Sequence, residues 1–324
     1  FILEPAGRYR ATADMSLGGG AVGSVSLGAA RASVDVNNDR VAFNDLTADI
    51  MEGRLKGQAV IAWNDRTLST LTGDFSNLDI AKLLALRGGS ILPVEGQTSG
   101  NLDLTFNGTN FRDASGTLDA AITANAGNAQ RGLIPVNGHI RLSGVSGLFD
   151  VALADLTSEK SKLTATGRFD LKDADSDLTL ALRSSDATEI DRLVRVLGVS
   201  PELERQLDSM EVQVAGNLNF DGEVTGNLSD PVVDGRASLD SISMRGSELG
   251  RVSTEILVTP AGVDLKNGRL EDRSGGSALF AINIPNTGSN NVSVKATLTD
   301  LDAGNLLAAL PVTLPEQIRD LDGE

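Results

Sequence analysis

Three groups of residues in this sequence have types and spacings that could do chemistry. The single His139 lies within NGHIRL and could serve as a general base. The run Gly18–Gly20 within LGGGAVGSVSL could cradle a phosphate through its backbone N–H groups. Asp173, Asp175 and Asp177 alternate within KDADSD, as the first ligands of a calcium-binding loop do.

Each of these groups lacks the residues that would complete a site. His139 stands in an alternating segment, so we interpret it as an exposed strand residue. The glycines are followed by neither a helix nor a Lys, which indicates a flexible turn. A calcium loop that starts at Asp173 needs Gly and Glu where Leu178 and Ser184 stand. Nucleophile-elbow, P-loop and zinc-protease motifs are also missing, so the sequence predicts no enzyme, metal or cofactor.

Composition narrows the class of protein and its partners. The 324 residues include 35 Gly and no Cys, and only 3% are aromatic, so disulfides and thiolate metal sites are excluded. The formal net charge of −16 argues against nucleic acid and against attraction to an anionic membrane surface. No run of eighteen apolar residues occurs, so no transmembrane helix is predicted. The chain starts with FILEPAGRYR and stops in mid-pattern, so we expect a fragment of a longer protein.

Alternation of apolar and polar residues dominates the sequence and predicts strands with one apolar face and one wet face. The segments GNLDLTF, DLTLAL, MEVQVAGNLNF and NVSVKATL show it most clearly. Together they give the candidate apolar lining: Leu102, Leu104, Phe106, Leu118, Ile122, Leu178, Leu180, Leu182, Val212, Val214, Leu218, Phe220, Val292, Val294 and Leu298. About twenty such strands at ~4.8 Å would make a sheet on the order of 100 Å long, which must curl to hide its apolar face.

A few helices interrupt the strands and mark a repeat. We predict helices at 78–86, from the capping residues 186–189 to Leu197, at 201–207 and at 301–310. Asp79, Glu189 and Asp302 are spaced about 110 residues apart, which predicts an arrayed fold instead of one globule. The predicted units are 1–76, 77–185, 186–299 and a truncated 300–324.

One joint in this array is GNLSDPVVDGRASL, which holds Gly226, Leu228, Asp230, Pro231 and Gly235. The Asp side chain can close a turn, Pro presets φ for the next strand, and the last Gly marks a close approach or a bulge. The segment is consistent with an ordinary single turn and with a repeat joint.

The pattern G-x-L-x-D-P-x-x-x-G of this joint resembles the repeat joint of the AsmA-like superfamily and, within it, the TamB-like translocation and assembly module branch. The segments DLTADIMEGRLKGQA and DLDAGNLLAAL are also similar to that family, and the resemblance covers nearly the whole chain. It implies an elongated antiparallel sheet curled into a U-shaped groove with short helices at its edges.

The resemblance further implies a periplasmic, inner-membrane-anchored protein of Gram-negative bacteria that binds phospholipid acyl chains and contributes to outer-membrane biogenesis. The anchor and a C-terminal end that binds an outer-membrane barrel partner would lie outside this sequence. Two alternatives stay open: a chaperone-like assembly factor for outer-membrane proteins, and a secreted β-solenoid adhesin. The apolar residues are likewise consistent with a lipid-binding lining and with a dry sandwich core.

Overall fold

A computed structural model describes residues 2–3, 7–22, 25–64, 67–85, 92–124, 133–172, 175–197, 201–227, 230–286 and 292–301. Strands hold most of these residues, and the described part contains three short helices. The mainly β, antiparallel fold class that the sequence predicted is therefore confirmed. Contacts divide the chain into two compact units. Unit 1 is Phe1–Glu159 with Thr164–Ser176, and unit 2 is Lys160–Leu163 with the residues from Asp177 onward.

The sheet of unit 1 is an antiparallel meander, in which strands that follow one another in the chain also pair in space. Its strands are β1 (Ile2–Leu3), β2 (Tyr9–Leu17), β3 (Gly20–Val22), β4 (Val25–Asn37), β5 (Arg40–Ile50), β6 (Gly53–Ala62), β7 (Leu68–Asp79), β9 (Gln97–Asn107), β10 (Asn110–Thr123), β12 (Asn137–Val145) and β13 (Leu148–Thr157). Two short strands, β8 (Val94–Glu95) and β11 (Ile134–Pro135), form a separate parallel pair. β14 (Ser161–Asp170) and β15 (Ser176–Ser184) contain residues of both units.

The two ends of the strands in unit 1 differ in their connections. At one end, called the turn end, short connections join β4 to β5, β6 to β7, β9 to β10 and β12 to β13. At the other end, called the helix end, β7 leads into helix α1 (Ile80–Ala85) and then into β8. Backbone hydrogen bonds tie neighbouring connections of the turn end together: Trp63 N–H to Asp39 O (2.8 Å) and Gly147 N–H to Ala114 O (2.8 Å).

The pairing register places the apolar side chains of unit 1 on one face, called the inner face. Directly opposed residues of antiparallel strands point to the same side of a sheet. One continuous cross-strand row is Leu46, Gly57, Gly73, Leu102, Leu118, Leu142 and Val151. The opposite, outer face carries polar rows such as Asn101, Asp119 and Arg141.

Glycines near the middle of these strands allow neighbouring backbones to approach closely. A Cβ atom on Gly57 would lie 2.1 Å from the Thr72 carbonyl oxygen, and one on Gly73 would lie 2.3 Å from that of Lys56. The same overlap recurs in β9, β10 and β12, at Gly100, Gly116, Gly138 and Gly144. Register shifts also interrupt five of the pairings in unit 1. Glycines and bulges of this kind bend strands and curve sheets.

Unit 2 repeats this plan with its own antiparallel meander. Its strands are β16 (Val212–Gly226), β17 (Val232–Met244), β18 (Ser247–Thr259), β19 (Gly262–Glu271), β20 (Ser277–Pro285) and β21 (Ser293–Thr299). An apolar row again crosses the sheet, through Leu218, Leu239, Val252, Leu270, Ala278 and Leu298. This row defines the inner face of unit 2.

Helix α2 begins at the capping residue that the sequence indicated, and α1 and α3 differ from their predicted bounds by a few residues. Asp79 Oδ1 accepts the Lys82 N–H (3.0 Å), so α1 begins at Ile80, two residues after the predicted start. Asp186 Oδ1 accepts the Thr188 N–H (3.1 Å) and caps α2 (Ala187–Leu197). Helix α3 (Pro201–Ser209) runs two residues beyond the predicted end. Residues 302–310 of the fourth predicted helix lie outside the described residues.

The proposed repeat joint lies between β16 and β17. Gly226 ends β16 with φ of 80°, and the Asp230 N–H donates to the Asn227 carbonyl (2.9 Å). Pro231 comes directly before β17, where a residue without an N–H group does not disturb the pairing. Gly235 opposes Gly222, and its Cβ would lie 2.6 Å from the Asp221 carbonyl oxygen, which is the expected close approach. Leu228 lies outside the described residues.

The close backbone approach at Gly73 predicts a large cost for any side chain there. We expect Gly73→Ala to lower the free energy of unfolding by about 2–3 kcal/mol, because the added methyl overlaps the Lys56 carbonyl. Gly20→Ala is the matched control, since no atom lies within 4 Å of a Cβ there, and it should change stability by less than about 0.5 kcal/mol. Urea denaturation followed by circular dichroism measures both, and equal effects would contradict the close approach.

The cap of α2 predicts a pH-dependent contribution to stability. The Lys160 ammonium, 2.5 Å from Asp186 Oδ2, and then the Thr188 hydroxyl lower the pKa of Asp186 from 3.8 to about 2. Because the native pKa lies below the unfolded one, the contribution is complete above about pH 5 and is lost as the pH falls through about 2.

We expect Asp186→Asn to cost about 1 kcal/mol at neutral pH, because the amide keeps the cap but loses the charged bond to Lys160. The difference from the parent chain should vanish as the pH falls towards 2, as measured by denaturation at a series of pH values. Asp234→Asn, at an exposed position of β17, is the control. A difference that does not change with pH would show that the ion pair contributes nothing.

Candidate functional site: an apolar sheet face

Five of the predicted lining residues lie on the inner face of unit 1. Leu102 of β9 directly opposes Leu118 of β10, and the alternate positions Leu104, Phe106 and Ile122 share their face. Leu104 and Phe106 are buried, with 9% and 6% of their surface exposed. Leu102, Leu118 and Ile122 are half-buried. The register therefore places these residues on one face, but the residues are buried to different degrees.

The most tightly packed part of this face lies at the turn end. Leu104 and Phe106 form a buried cluster with Ala114 and Phe149. Phe111 packs edge-on against Phe106, with ring centroids 5.6 Å apart and an angle of 70° between the rings. The sequence did not single out Ala114 or Phe149, although Phe149 alternates within LFDVALADL. Ala114 reaches the cluster from the irregular part of β10, and periodicity does not reveal such a position.

A second cluster closes the inner face at the helix end. Phe75 and Leu78 of β7 pack with Ala120 of β10, and Leu83 of α1 packs against them. Ile80, the first residue of α1, is itself buried. Helix α1 therefore covers the inner face at the helix end of the strands.

Between the two clusters, the inner face is only half covered. Leu102, Leu118 and Leu142 are each half-buried, although they oppose one another in a single row. The same row continues through Gly57 and Gly73, which contribute no side chain. Apolar surface therefore stays accessible along the middle of the face, between a packed turn end and a helix-covered end.

In unit 2, the predicted lining residues on two strands, β15 and β16, are also half-buried. Leu178, Leu180 and Leu182 lie on β15, and Val212, Val214, Leu218 and Phe220 lie on β16. The β16 residues oppose the apolar side chains Met244, Ile242, Leu239 and Ala237 of β17. The ring of Phe220 lies close to the glycine pair, 2.6 Å from the position of a Cβ on Gly222. Helix α2 packs on β16, and α3 contacts both β16 and β20.

The inner face of unit 2 continues onto β21, where it is uncovered. Val292 is half-buried, whereas Val294 and Leu298 are 61% and 49% exposed. Val294 opposes Ile282, and Leu298 opposes Ala278. Within the described residues, β21 pairs with β20 alone and is therefore an edge strand of that part of the sheet.

His139 belongs to a charged group on the outer face of unit 1. Its Nε2 atom lies 2.5 Å from Asp119 Oδ1, and Arg141 Nε donates to Asp119 Oδ2 at 3.0 Å. The hydrogen bond with His139, followed by that with Arg141, lowers the pKa of Asp119 below its usual value. His139 lies in β12 and is half-exposed. The carboxylate thus links neighbouring positions of β10 and β12, on the side of the sheet opposite the apolar lining.

The acidic stretch after β14 forms a turn around a buried carboxylate. Asp170 accepts the N–H groups of Lys172 (2.9 Å) and Asp175 (3.2 Å). These bonds use both of its oxygens to close the turn, while Asp173 lies outside the described residues. At the glycine run, β2 ends at Leu17 and β3 begins at Gly20, so Gly18 and Gly19 form the connection between them. The described part of the chain contains no group of three or more His, Asp or Glu arranged to hold a metal ion.

Comparisons of the chain with family models, curated proteins and solved structures found no match. None of the helices in the described ranges combines the length and the apolar character needed to cross a membrane. The fold therefore defines the class of this protein by structure alone: it consists of antiparallel sheets that each have one apolar, partly covered face.

The uneven burial of the lining predicts uneven energetic importance. We expect Phe106→Ala to lower the free energy of unfolding by about 3–4 kcal/mol, because it leaves a cavity in the cluster at the turn end. Val294→Ala, on the same type of face but largely exposed, should change it by less than about 0.5 kcal/mol. Chemical denaturation compares the two variants, and similar losses would show that β21 is packed in solution.

Proposed function

We propose that this chain is a non-catalytic scaffold whose apolar inner face binds phospholipid acyl chains and conducts them along the sheet. The observation that carries the proposal is the half-burial of apolar side chains that the register aligns in continuous rows. Leu102, Leu118 and Leu142 in unit 1, and Val214 and Leu218 in unit 2, all keep accessible apolar surface. A dry sandwich core would bury such residues almost completely.

The curvature of the strands supports a groove as the form of this face. Pairs of glycines at mid-strand, as at Gly57 and Gly73, remove side chains where the backbones come closest. Bulges next to them increase the local bending. A sheet creased in this way curls towards its apolar side, which produces the proposed U-shaped groove. Helix α1 in unit 1 and helix α2 in unit 2, each packed at a strand end, would line the border of the apolar face in their own unit.

We choose lipid over other apolar ligands because the apolar lining is extensive and consists mainly of small aliphatic residues. The rows consist mainly of Leu, Val, Ile, Ala and Gly, and only 3% of all residues are aromatic. Such a surface offers apolar contact with few directional hydrogen bonds, and this suits flexible hydrocarbon chains. Apolar surface of this extent that stays exposed calls for a ligand or a partner.

The cellular setting of the proposal comes from the resemblance to the AsmA-like superfamily. By that resemblance, the chain would be part of a periplasmic protein anchored in the inner membrane, and it would pass phospholipid towards the outer membrane. An outer-membrane barrel partner would bind a region beyond this sequence. These partners and this location are proposals that follow from the sequence motifs.

The exposed edge of β21 favours a second candidate, an assembly factor for outer-membrane β-proteins. Its outward backbone groups and the apolar Val294 and Leu298 would accept an incoming strand by β-augmentation. In this function, the substrate is a polypeptide that pairs with the sheet edge, not a lipid that fills the inner face.

The lipid proposal predicts that purified chain carries phospholipid on its inner face. Leu142→Ser should lower the bound lipid about five-fold, because it places a hydroxyl in the middle of the apolar row. Leu153→Ser is the matched control, since Leu153 opposes Arg141 on the outer face. The measurement is native mass spectrometry of chain expressed in the bacterial periplasm and purified without detergent.

The same experiment separates the candidate functions. Folded chain without bound lipid, and without uptake from vesicles, would contradict the lipid proposal. If such chain bound unfolded outer-membrane strands, and a Pro in place of Lys295 on β21 abolished this, the assembly function would be favoured. Thermal melting of each variant controls for loss of fold.

A further inference from the structure

Helix α3 contacts two strands of unit 2 that are not neighbours in the sheet. One is β16, which follows α3 in the chain, and the other is β20, which is four strands further along the meander. Its contacts with the three strands between them, β17, β18 and β19, are fewer. Helix α3 therefore reaches from β16 to β20 without packing closely on the strands that separate them.

The exposure of the strand residues indicates on which face of the sheet α3 lies. On the inner side of β20, Ala278 and Ile284 are buried, whereas Leu279 on the outer side is 56% exposed. At the start of β16, Val212 of the inner face is half-buried, whereas the next residue, Gln213, is exposed. The cover over both strands is thus on the inner face, and α3 is the helix that contacts both.

The length of α3 is short for the distance between these two strands in a flat sheet. Four strand spacings of ~4.8 Å would separate β16 from β20 by about 19 Å. A helix of nine residues extends about 14 Å at a rise of ~1.5 Å per residue. Helix α3 therefore reaches both strands more easily when the sheet of unit 2 curls and brings β16 and β20 towards each other.

The C-terminal end of α3 is anchored to the sheet. The Met210 N–H donates to the Gln206 carbonyl (3.1 Å), so the last turn of the helix runs directly into the start of β16. The Arg245 guanidinium, which follows β17, donates to the Ser209 carbonyl (3.5 Å) at the end of the helix. These bonds fix one end of α3 where β16 begins.

An ion pair on the surface links α3 to α2. Arg195 Nη1 donates to Asp208 Oδ1 at 2.7 Å, and Arg195 Nε donates to Asp191 Oδ2 on its own helix at 2.8 Å. The side chain of Asp208 is 68% exposed, and ion pairs that are so accessible to water contribute little to stability. The link between the two helices can therefore break at a small cost in free energy.

The covered side of α3 carries a carboxylate that opposes its docking. Glu204 and Leu207 lie one turn apart and are both half-buried, whereas Arg205 and Asp208 are exposed, so the first two face the rest of unit 2. Glu204 Oε1 is shielded from solvent, and no hydrogen bond reaches it within the described residues. A buried carboxylate oxygen without a hydrogen bond disfavours the docked position of the helix.

We propose that α3 is a strap that opens and closes over the inner face of unit 2. It pivots at its C-terminal end, and its N-terminal end leaves β20 when the ion pair between Arg195 and Asp208 breaks. In the open position, the Glu204 carboxylate reaches water and the apolar side chains between β16 and β20 become accessible. This inference rests on the proposed lipid-binding function and adds the element that controls when an acyl chain enters unit 2.

Two spin labels can report the position of the strap, because the chain contains no Cys. One label is attached at Arg205→Cys on α3, and the other at Leu279→Cys on the outer face of β20. Loading with phosphatidylcholine from vesicles should shift this distance to longer values, as measured by double electron–electron resonance. The control pair, Asp234→Cys with Leu279→Cys, has both labels on the sheet and should keep its distance. An unchanged distance from α3 to β20 in lipid-loaded chain would overturn the strap.

Two further substitutions should move the strap in opposite directions without lipid. Asp208→Asn removes the link to α2 and should raise the population of the long distance about three-fold. Glu204→Met puts an apolar side chain of similar length on the covered side and should lower that population. Asp221→Asn is the matched control, because it breaks an exposed ion pair with Arg183 elsewhere in the sheet. Equal effects of Asp208→Asn and Asp221→Asn would contradict the proposed link.

The rate of lipid uptake separates this inference from the proposed function. In a time course by native mass spectrometry, Asp208→Asn should load phosphatidylcholine about three-fold faster than the parent chain, and Glu204→Met should load it more slowly. Absence of lipid from all three chains would contradict the proposed function, while the distances in lipid-free chain still decide whether the strap opens. Uptake at one rate by all three chains would contradict the strap and leave the proposed function intact.

Discussion

The pairing register between neighbouring strands is the constraint on which the rest of this structure depends. Successive side chains of a strand point to opposite faces, so a slip of one residue would move every apolar side chain of a strand outward. The irregular start of β10 adds three residues to its pairing with β9, but Leu102, Leu118 and Leu142 still meet in one row. Charged pairs such as Asp119 with Arg141 hold the same alignment from the outer side. The apolar face is thus a property of the pairing as a whole.

The glycine positions connect this register to the proposed function. An apolar row filled by large side chains from end to end would pack against itself when the sheet curls. At Gly57 and Gly73 the row contains no side chains, and the backbones approach instead. The cost of such positions is a loss of apolar contact and a larger loss of chain entropy on folding. The benefit is curvature together with accessible apolar surface in the middle of the face.

Much of the fold could be predicted from the sequence, because its signals are local. Alternation within GNLDLTF located β9, and Asp186 located the start of α2. The degree of burial could not be predicted in this way. Leu104 and Leu298 stand in similar alternating segments, yet one lies within a cluster and the other near an edge. The packing of Ala114 depends on an irregular pairing in β10, which has no periodicity to detect. Neighbours across the sheet decide these features.

The meander order of both sheets has a consequence for how the chain folds and how it unfolds. Nearly every strand pairs with the strands just before and after it, so the paired strands are neighbours in the chain and the loop-closure cost of each pairing is small. Each new hairpin can add to an existing edge, and no distant segment has to arrive first. Damage should spread in the same stepwise way, because each strand depends mainly on its two neighbours. A sheet of this kind unzips from a weak point while more distant hairpins remain paired.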